Sequence, residues 1–273
     1  MDMRMLLSNV ERIRKLQDEA HVNSLKAIIY GVPKIGKSTI IATCPRPILV
    51  HSFDPGGTKV LSELIESGDV IADTRFEVEN PLSPKAFQRW TKEMNDLETS
   101  KLFNHIGTYV LDSFTTWSQC IMYHVIKGAA DKSNGKRKAG ETPQQRDWLS
   151  QMNEIEIWMR RLTSLPCHVL AMGHEDVPKD EDGNQIGDKR PMITGKLAMR
   201  VPALFDEVYH LALKDQVKGT RMLQTQMGNR IHAGTRIGRN GKFNQFEEPD
   251  IRALIKKAGL NADDLPKLIA TEE

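Results

Sequence analysis

The chain has 273 residues, 39% hydrophobic and 27% charged, with a formal net charge of +2. That length can bury one sizeable core, no apolar run approaches the ~20 residues that cross a bilayer, and so small a charge excess does not by itself point to nucleic acid. Cys44, Cys120 and Cys167 stand far apart with no CxxC pair, which argues against a zinc knuckle or disulfide framework and for a reducing cytoplasm.

Residues 1–23 carry Leu6, Leu7, Val10, Ile13 and Leu16 among charges. This is a helix stripe rather than the apolar stretch of a signal peptide, and we read it as an N-terminal helix and a candidate oligomerisation element. Ala27-Ile28-Ile29-Tyr30 suits a buried parallel strand that ends at Gly31, and a helix is expected from Lys37 to Ala42. Pro47 to Asp54 reads as a second strand running into the turn Pro55-Gly56-Gly57. Phe87, Trp90, Met94 and Leu97 recur at spacings of three and four, predicting a helix over 83–101 before the strand Thr108 to Asp112. Trp148, Met152, Ile155, Trp158 and Met159 mark a helix from about Pro143 to Leu165, which delivers the strand Cys167 to Met172. Two β-like runs, Glu207 to Leu213 and Arg221 to Gln226, flank the polar turn Lys214 to Thr220 and read as antiparallel pairing; a helix over Asp250 to Ala258 follows. Lys127 to Arg146 and Glu175 to Lys196, rich in Gly and charge, are expected to be mobile loops.

Alternating strands and helices predict an α/β fold, a mostly parallel sheet flanked by helices with antiparallel strands at one side and function at the carboxyl ends of the strands. Gly31, Asp54, Asp112 and Gly173-His174 fall at those ends. Gly31-Val32-Pro33-Lys34-Ile35-Gly36-Lys37-Ser38, with Thr39 after it, fits G-x-x-x-x-G-K-[ST]. Its glycines let backbone N–H groups approach phosphate, Lys37 reaches the β and γ phosphates, and the Ser38 hydroxyl suits Mg²⁺. ATP and Mg²⁺ are therefore the expected ligands, with Asp112 as the second metal-organising group, on a strand expected to pack beside the P-loop strand. Residue 113 is Ser, so the adjacent Glu that serves as base in many ATPases is absent. Asp54 is the candidate that orients the attacking water, Glu175 the second choice, and His174 a candidate γ-phosphate sensor. Arg236 could act in trans as an arginine finger. Lys132, Lys136, Arg137 and Lys138 in one loop, and Lys189 and Arg190 in the other, are candidate contacts to a nucleic-acid backbone.

The order of these features resembles the RecA-like P-loop ATPases, and within them the compact phage-encoded group of single-strand annealing and recombination proteins. The resemblance rests on Gly31 to Ser38, Tyr109-Val110-Leu111-Asp112-Ser113, Gly173-His174-Glu175, Leu197-Ala198 and Leu204-Phe205-Asp206-Glu207-Val208, and covers roughly residues 24 to 240. It implies an ATPase domain over 24–240 and a C-terminal helical segment over 241–273. It also implies a catalytic carboxylate at Asp54, DNA-contacting loops at 127–146 and 175–196, and a ring or filament of copies with ATP at the subunit boundary. The function implied is ATP-dependent annealing or recombination of phage DNA on single-stranded DNA, in the host cytoplasm, alone or with a single-strand-binding protein and without a membrane. A P-loop phosphotransferase and a nucleotide-dependent scaffold are the alternatives.

Overall fold

The computed structural model describes residues 11–12, 23–215 and 217–268; the expected N-terminal helix falls almost wholly outside them. In chain order the elements are β1 (Lys26–Gly31), α1 (Lys37–Ile40), β2 (Ile48–Ser52), α2 (Ser62–Glu66), β3 (Val70–Asp73), α3 (Ala86–Thr99), β4 (Thr108–Asp112), α4 (Phe114–Asp131) and α5 (Gln145–Thr163). They continue with β5 (His168–Asp176), β6 (Arg190–Pro191), α6 (Leu197–Arg200), β7 (Glu207–Asp215), β8 (Thr220–Gln224), β9 (Gly234–Thr235), β10 (Phe246–Glu247) and α7 (Ile251–Ala258).

The main sheet runs β10-β8-β7-β1-β5-β4-β2-β3, with β6 paired to β5 and β9 to β7. From β7 to β3 every neighbouring pair is parallel, and β8, β9 and β10 add antiparallel pairs at one side, the mixed α/β class expected. One expectation is corrected here. The strand ending in Asp112 does not lie beside the P-loop strand, because β5 intervenes and pairs with both.

Burial on both faces explains the continuous apolar strands. Ile28 and Tyr30 of β1, Tyr109 and Leu111 of β4, and Val169 and Ala171 of β5 face a core that holds Trp90, Trp117 and Trp158 from α3, α4 and α5. Ala27, Ile29, Val110, Leu170 and Met172, the alternate positions, face a second core with Ile40 next to the P-loop and Leu254 and Ile255 of α7. The three indoles meet edge to face, Trp90 lying 5.3 Å from Trp117 and 4.6 Å from Trp158 between ring centroids.

Local chemistry sets the helix ends. Ser113 caps α4, its hydroxyl accepting from Thr116 N at 3.3 Å. Gln144 and Asp147 form a reciprocal capping box at the start of α5. Asp250 caps α7, and Gly259 ends it at φ 85°. Two loop boundaries differ from the expectation. Lys127 to Asp131 are the last turn of α4, and Glu175-Asp176 pair antiparallel with Arg190-Pro191, so the second segment is closed by a short ladder.

Candidate nucleotide site

β1 ends at Gly31, where an added Cβ would lie 2.6 Å from the Leu211 carbonyl oxygen, so a side chain is excluded by the neighbouring β7. Gly36 turns the chain at φ 104°, a left-handed conformation open to glycine, and Lys37 begins α1. The loop curls over the carboxyl end of β1, and a cavity of about 600 Å³ opens above it, bounded by Lys37, Thr39, Asp54, Asp112, His174 and Arg221.

Lys37 is buried, and its Nζ donates to the carbonyl oxygens of Gly31 (3.1 Å) and Val32 (3.0 Å) and lies 3.5 Å from His174 Nδ1. Burial lowers its pKa, and the carboxylates of Asp112 and Asp54 work against that shift. Ser38 Oγ donates to Asp112 Oδ2 at 2.7 Å. A hydroxyl and a carboxylate oxygen therefore meet at one point of the cavity wall. They form an all-oxygen donor pair of the kind Mg²⁺ takes, with its remaining positions left to phosphate and water. Asp112 is pushed up to about 6, chiefly by burial and further by the Asp54 charge, against the Ser38 hydrogen bond and the Lys37 charge. A divalent cation held by Ser38 and Asp112 would reverse the balance and keep the carboxylate ionised. The Asp112–Ser113 peptide is cis.

Asp54 follows β2, and its backbone N lies 3.4 Å from the Asp112 carbonyl oxygen it bonds. Its Oδ1 accepts from Ser113 Oγ at 3.0 Å and from Thr116 Oγ1, while Oδ2 lies 3.3 Å from His174 Nε2. Burial acts to raise the Asp54 pKa, but the bonds from His174, Thr116 and Ser113 outweigh it and leave it below the ordinary aspartate value. His174, on β5, thus bridges Lys37 and Asp54, and its own backbone N donates to Thr115 Oγ1 at 3.0 Å. Ser113, read in the sequence only as a missing Glu, caps α4 and holds Asp54 at once.

Lys37, Ser38, Asp54, Asp112 and His174 are therefore brought together, from the ends of β1, β2, β4 and β5. Glu175 is not among them. Successive strand residues face opposite sides, and Glu175 is held by Lys189 Nζ (3.2 Å) and His210 Nε2 (2.8 Å), which corrects its standing as a second catalytic carboxylate. Arg236 is also elsewhere in its own chain. It follows β9, level with Asp206 at the amino end of β7, and its Nη2 donates to the Ala203 carbonyl at 2.5 Å. From Lys26, beside Asp206, to Gly31 the strand climbs roughly 17 Å at ~3.3 Å per residue.

The expected polyanion-binding cations divide in two. Lys132, Lys136 and Lys138 are exposed. Arg137 is buried with Nη1 and Nη2 donating to the two Asp147 oxygens at 3.0 and 2.8 Å, so it closes its loop onto α5 and is not a free loop cation. Lys189 is paired with Glu175 and Arg190 with Asp176.

Sequence reasoning missed Glu77 and Arg221. Glu77 accepts from Ser52 Oγ (2.7 Å) and Gly56 N (3.0 Å) and so fixes the turn that carries Asp54. Nothing in its local pattern marks it. Arg221 donates from Nε to the Ile35 carbonyl at 2.5 Å; its place opposite Leu213 in an antiparallel pair becomes visible only once β7 and β8 are in register.

No curated protein matches the chain. Among solved structures it is similar to the crystal structure of the RadB recombinase, with 12% sequence identity and a TM-score of 0.36 over 72% of this chain and 78% of that one. A family described as an AAA domain matches residues 23–237. That span begins just before the P-loop strand, takes in Asp54, Asp112 and His174 and runs past Arg236, and over it the chain belongs to this AAA domain family of P-loop ATPases.

Proposed function

We propose that this chain binds ATP with Mg²⁺ and hydrolyses it, with Asp54 holding the attacking water. The observation that carries the reading is the contact chain Lys37–His174–Asp54–Ser113 beside Ser38–Asp112, in which each member lies at a strand end, just after it, or at the start of the helix that follows. Water attacks the γ-phosphorus as the bond to the β,γ-bridging oxygen breaks, and the water proton passes to Asp54 or to a γ-phosphate oxygen. Asp54 is kept ionised by three hydrogen-bond partners, which suits a carboxylate that orients water more than one that takes its proton early. Lys37 neutralises developing charge on the phosphates. Ser38 and Asp112 are the residues that would hold magnesium, which would supply further charge neutralisation on the phosphates.

We further propose that nucleotide state is coupled to single-stranded DNA, in annealing or recombination and as a ring or filament in which Arg236 serves a neighbouring copy. This reading is supported by exposed Lys132, Lys136 and Arg146, which border a cavity of about 550 Å³ at the head of the α4–α5 pair, and by the bond from His174 to Thr115 at the base of α4. The test is ATP turnover with and without single-stranded DNA, for wild type and Lys37→Ala. Stimulation by DNA that disappears in Lys37→Ala is expected. Turnover indifferent to DNA, with no DNA bound in any nucleotide state, would leave an ATPase and remove the annealing function.

A further inference from the structure

The carboxylates and His174 all approach the cavity from β2, β4 and β5. The opposite flank of the P-loop is built by β7 and β8, on the far side of β1 in the sheet order. Tyr30 of β1 is level with His210, and a Cβ added at Gly31 would meet the Leu211 carbonyl; Leu213, two residues further, is opposite Arg221. The β7–β8 hairpin therefore continues past the end of β1 and stands along the phosphate loop.

Side chains two apart on a strand share a face. Leu223 of β8 is fully buried in the core that contains Ile35 and Ile40, so Arg221 points to the side on which the P-loop lies. It reaches the loop itself: Nε donates to the Ile35 carbonyl, and an added Cβ on Gly36 would fall 2.7 Å from that nitrogen. One nitrogen is thus tied to the backbone, and the guanidinium stands at the rim of the cavity that Lys37 and Thr39 also line. Arg221 is exposed and has no acidic partner among the described residues, so Nη1 and Nη2 are open to a ligand.

We propose that Arg221 is a nucleotide-binding arginine supplied by the same chain, contacting the ligand at its α-phosphate and ribose end. This rests on the ATP reading above. The end that reacts must lie toward Asp54, Asp112 and His174, where water and metal are held, so a cation on the opposite flank meets the part of the ligand that ATP and ADP share. Such a contact contributes equally to ground state and transition state, and its removal raises KM rather than lowering kcat. An arginine that stabilises the transferring phosphate, as proposed for Arg236 in trans, has the opposite signature.

The experiment is equilibrium binding of ADP and of a non-hydrolysable ATP analogue to the full chain, together with steady-state ATP turnover, for wild type, Arg221→Ala and Arg221→Gln. The two dissociation constants are expected to rise together, by about 10- to 100-fold, the range of a charge-assisted hydrogen bond, with the change in turnover falling on KM. Arg221→Gln, which keeps a hydrogen-bond donor but no charge, is read on its own if the alanine variant does not fold, and the same loss is expected. ADP affinity within two-fold of wild type in the folded variants, or a loss confined to kcat, would overturn the assignment. Failure of the wild-type chain to bind either nucleotide would instead remove the ATP reading on which it rests.

Discussion

The two ends of the central sheet use similar residues for different work. At the carboxyl end Ser38, Asp54, Asp112 and His174 bond side chains around a cavity, and Lys37 adds the backbone carbonyls of Gly31 and Val32 to its contact with His174. At the amino end the polar groups bond backbone. Lys26 Nζ donates to the Leu165 and Cys167 carbonyls at 2.6 and 2.5 Å, and His168 accepts from Leu25 N at 2.9 Å while its other nitrogen faces the Asn261 carbonyl at 2.9 Å. Glu207 Oε1 takes Thr235 Oγ1 and the backbone N–H groups of Arg236 and Ile237. Side-chain partners can be exchanged for a ligand's oxygens at little cost. The backbone partners at the amino end cannot leave without stranding a buried carbonyl or amide, so that end is structural.

The largest effect that would test this contrast is on turnover. Lys37→Ala and Asp54→Ala are each expected to lower kcat about 10²- to 10⁴-fold in a steady-state assay, and calorimetry is expected to find the Asp54→Ala melting temperature close to wild type. Lys26→Ala is the counterpart. It strands two carbonyls and is expected to cost ~2–4 kcal/mol in urea unfolding while the folded fraction turns over normally; a variant with intact stability would break the comparison.

A third effect is on pH. His168 is held neutral, its pKa pushed down to about 4, first by burial and then by the Lys26 charge, against the Asn261 carbonyl. Protonating Nδ1 would destroy the bond from Leu25 N. Because the folded value lies below the 6.5 of a free imidazole, the unfolded chain takes up the proton first. This contribution is present above about pH 6.5 and is lost as pH falls towards 4, up to ~3 kcal/mol in all. Urea unfolding across that range is expected to show the loss, and His168→Gln to flatten it.

The smallest effect concerns the loops. If Lys132, Lys136 and Lys138 each neutralise one phosphate of single-stranded DNA, replacing all three with Ala reduces the slope of log affinity against log salt by ~2. Arg137→Ala is expected to leave that slope in place and to lower the melting temperature instead, since its fork holds Asp147 at the start of α5.

These contrasts follow how far each residue could be read locally. The P-loop is legible because its glycines and lysine act within eight consecutive residues, and β1, β4 and β5 because double-sided burial leaves a continuous apolar run. Helix α4 was not, since Phe114, Trp117, Cys120 and Ile121 lie near the Gly- and Lys-rich stretch that reads as loop. β3 is four residues long and only its first residue is buried, too little for a periodic signal.

The sequence alone therefore determined the class of fold, the phosphate loop and the carboxylate at the end of β4, because apolar periodicity and backbone freedom are local properties. Tertiary structure decided the partners. It placed Ser113, Thr116 and His174 around Asp54, turned Arg137 inward, put Glu175 and Arg236 outside the cavity, and laid Arg221 on a loop 186 residues away. The physical reason is that strand order and register fix which side chains meet, and a strand's own residues specify which of its faces is buried but not which neighbour it pairs with.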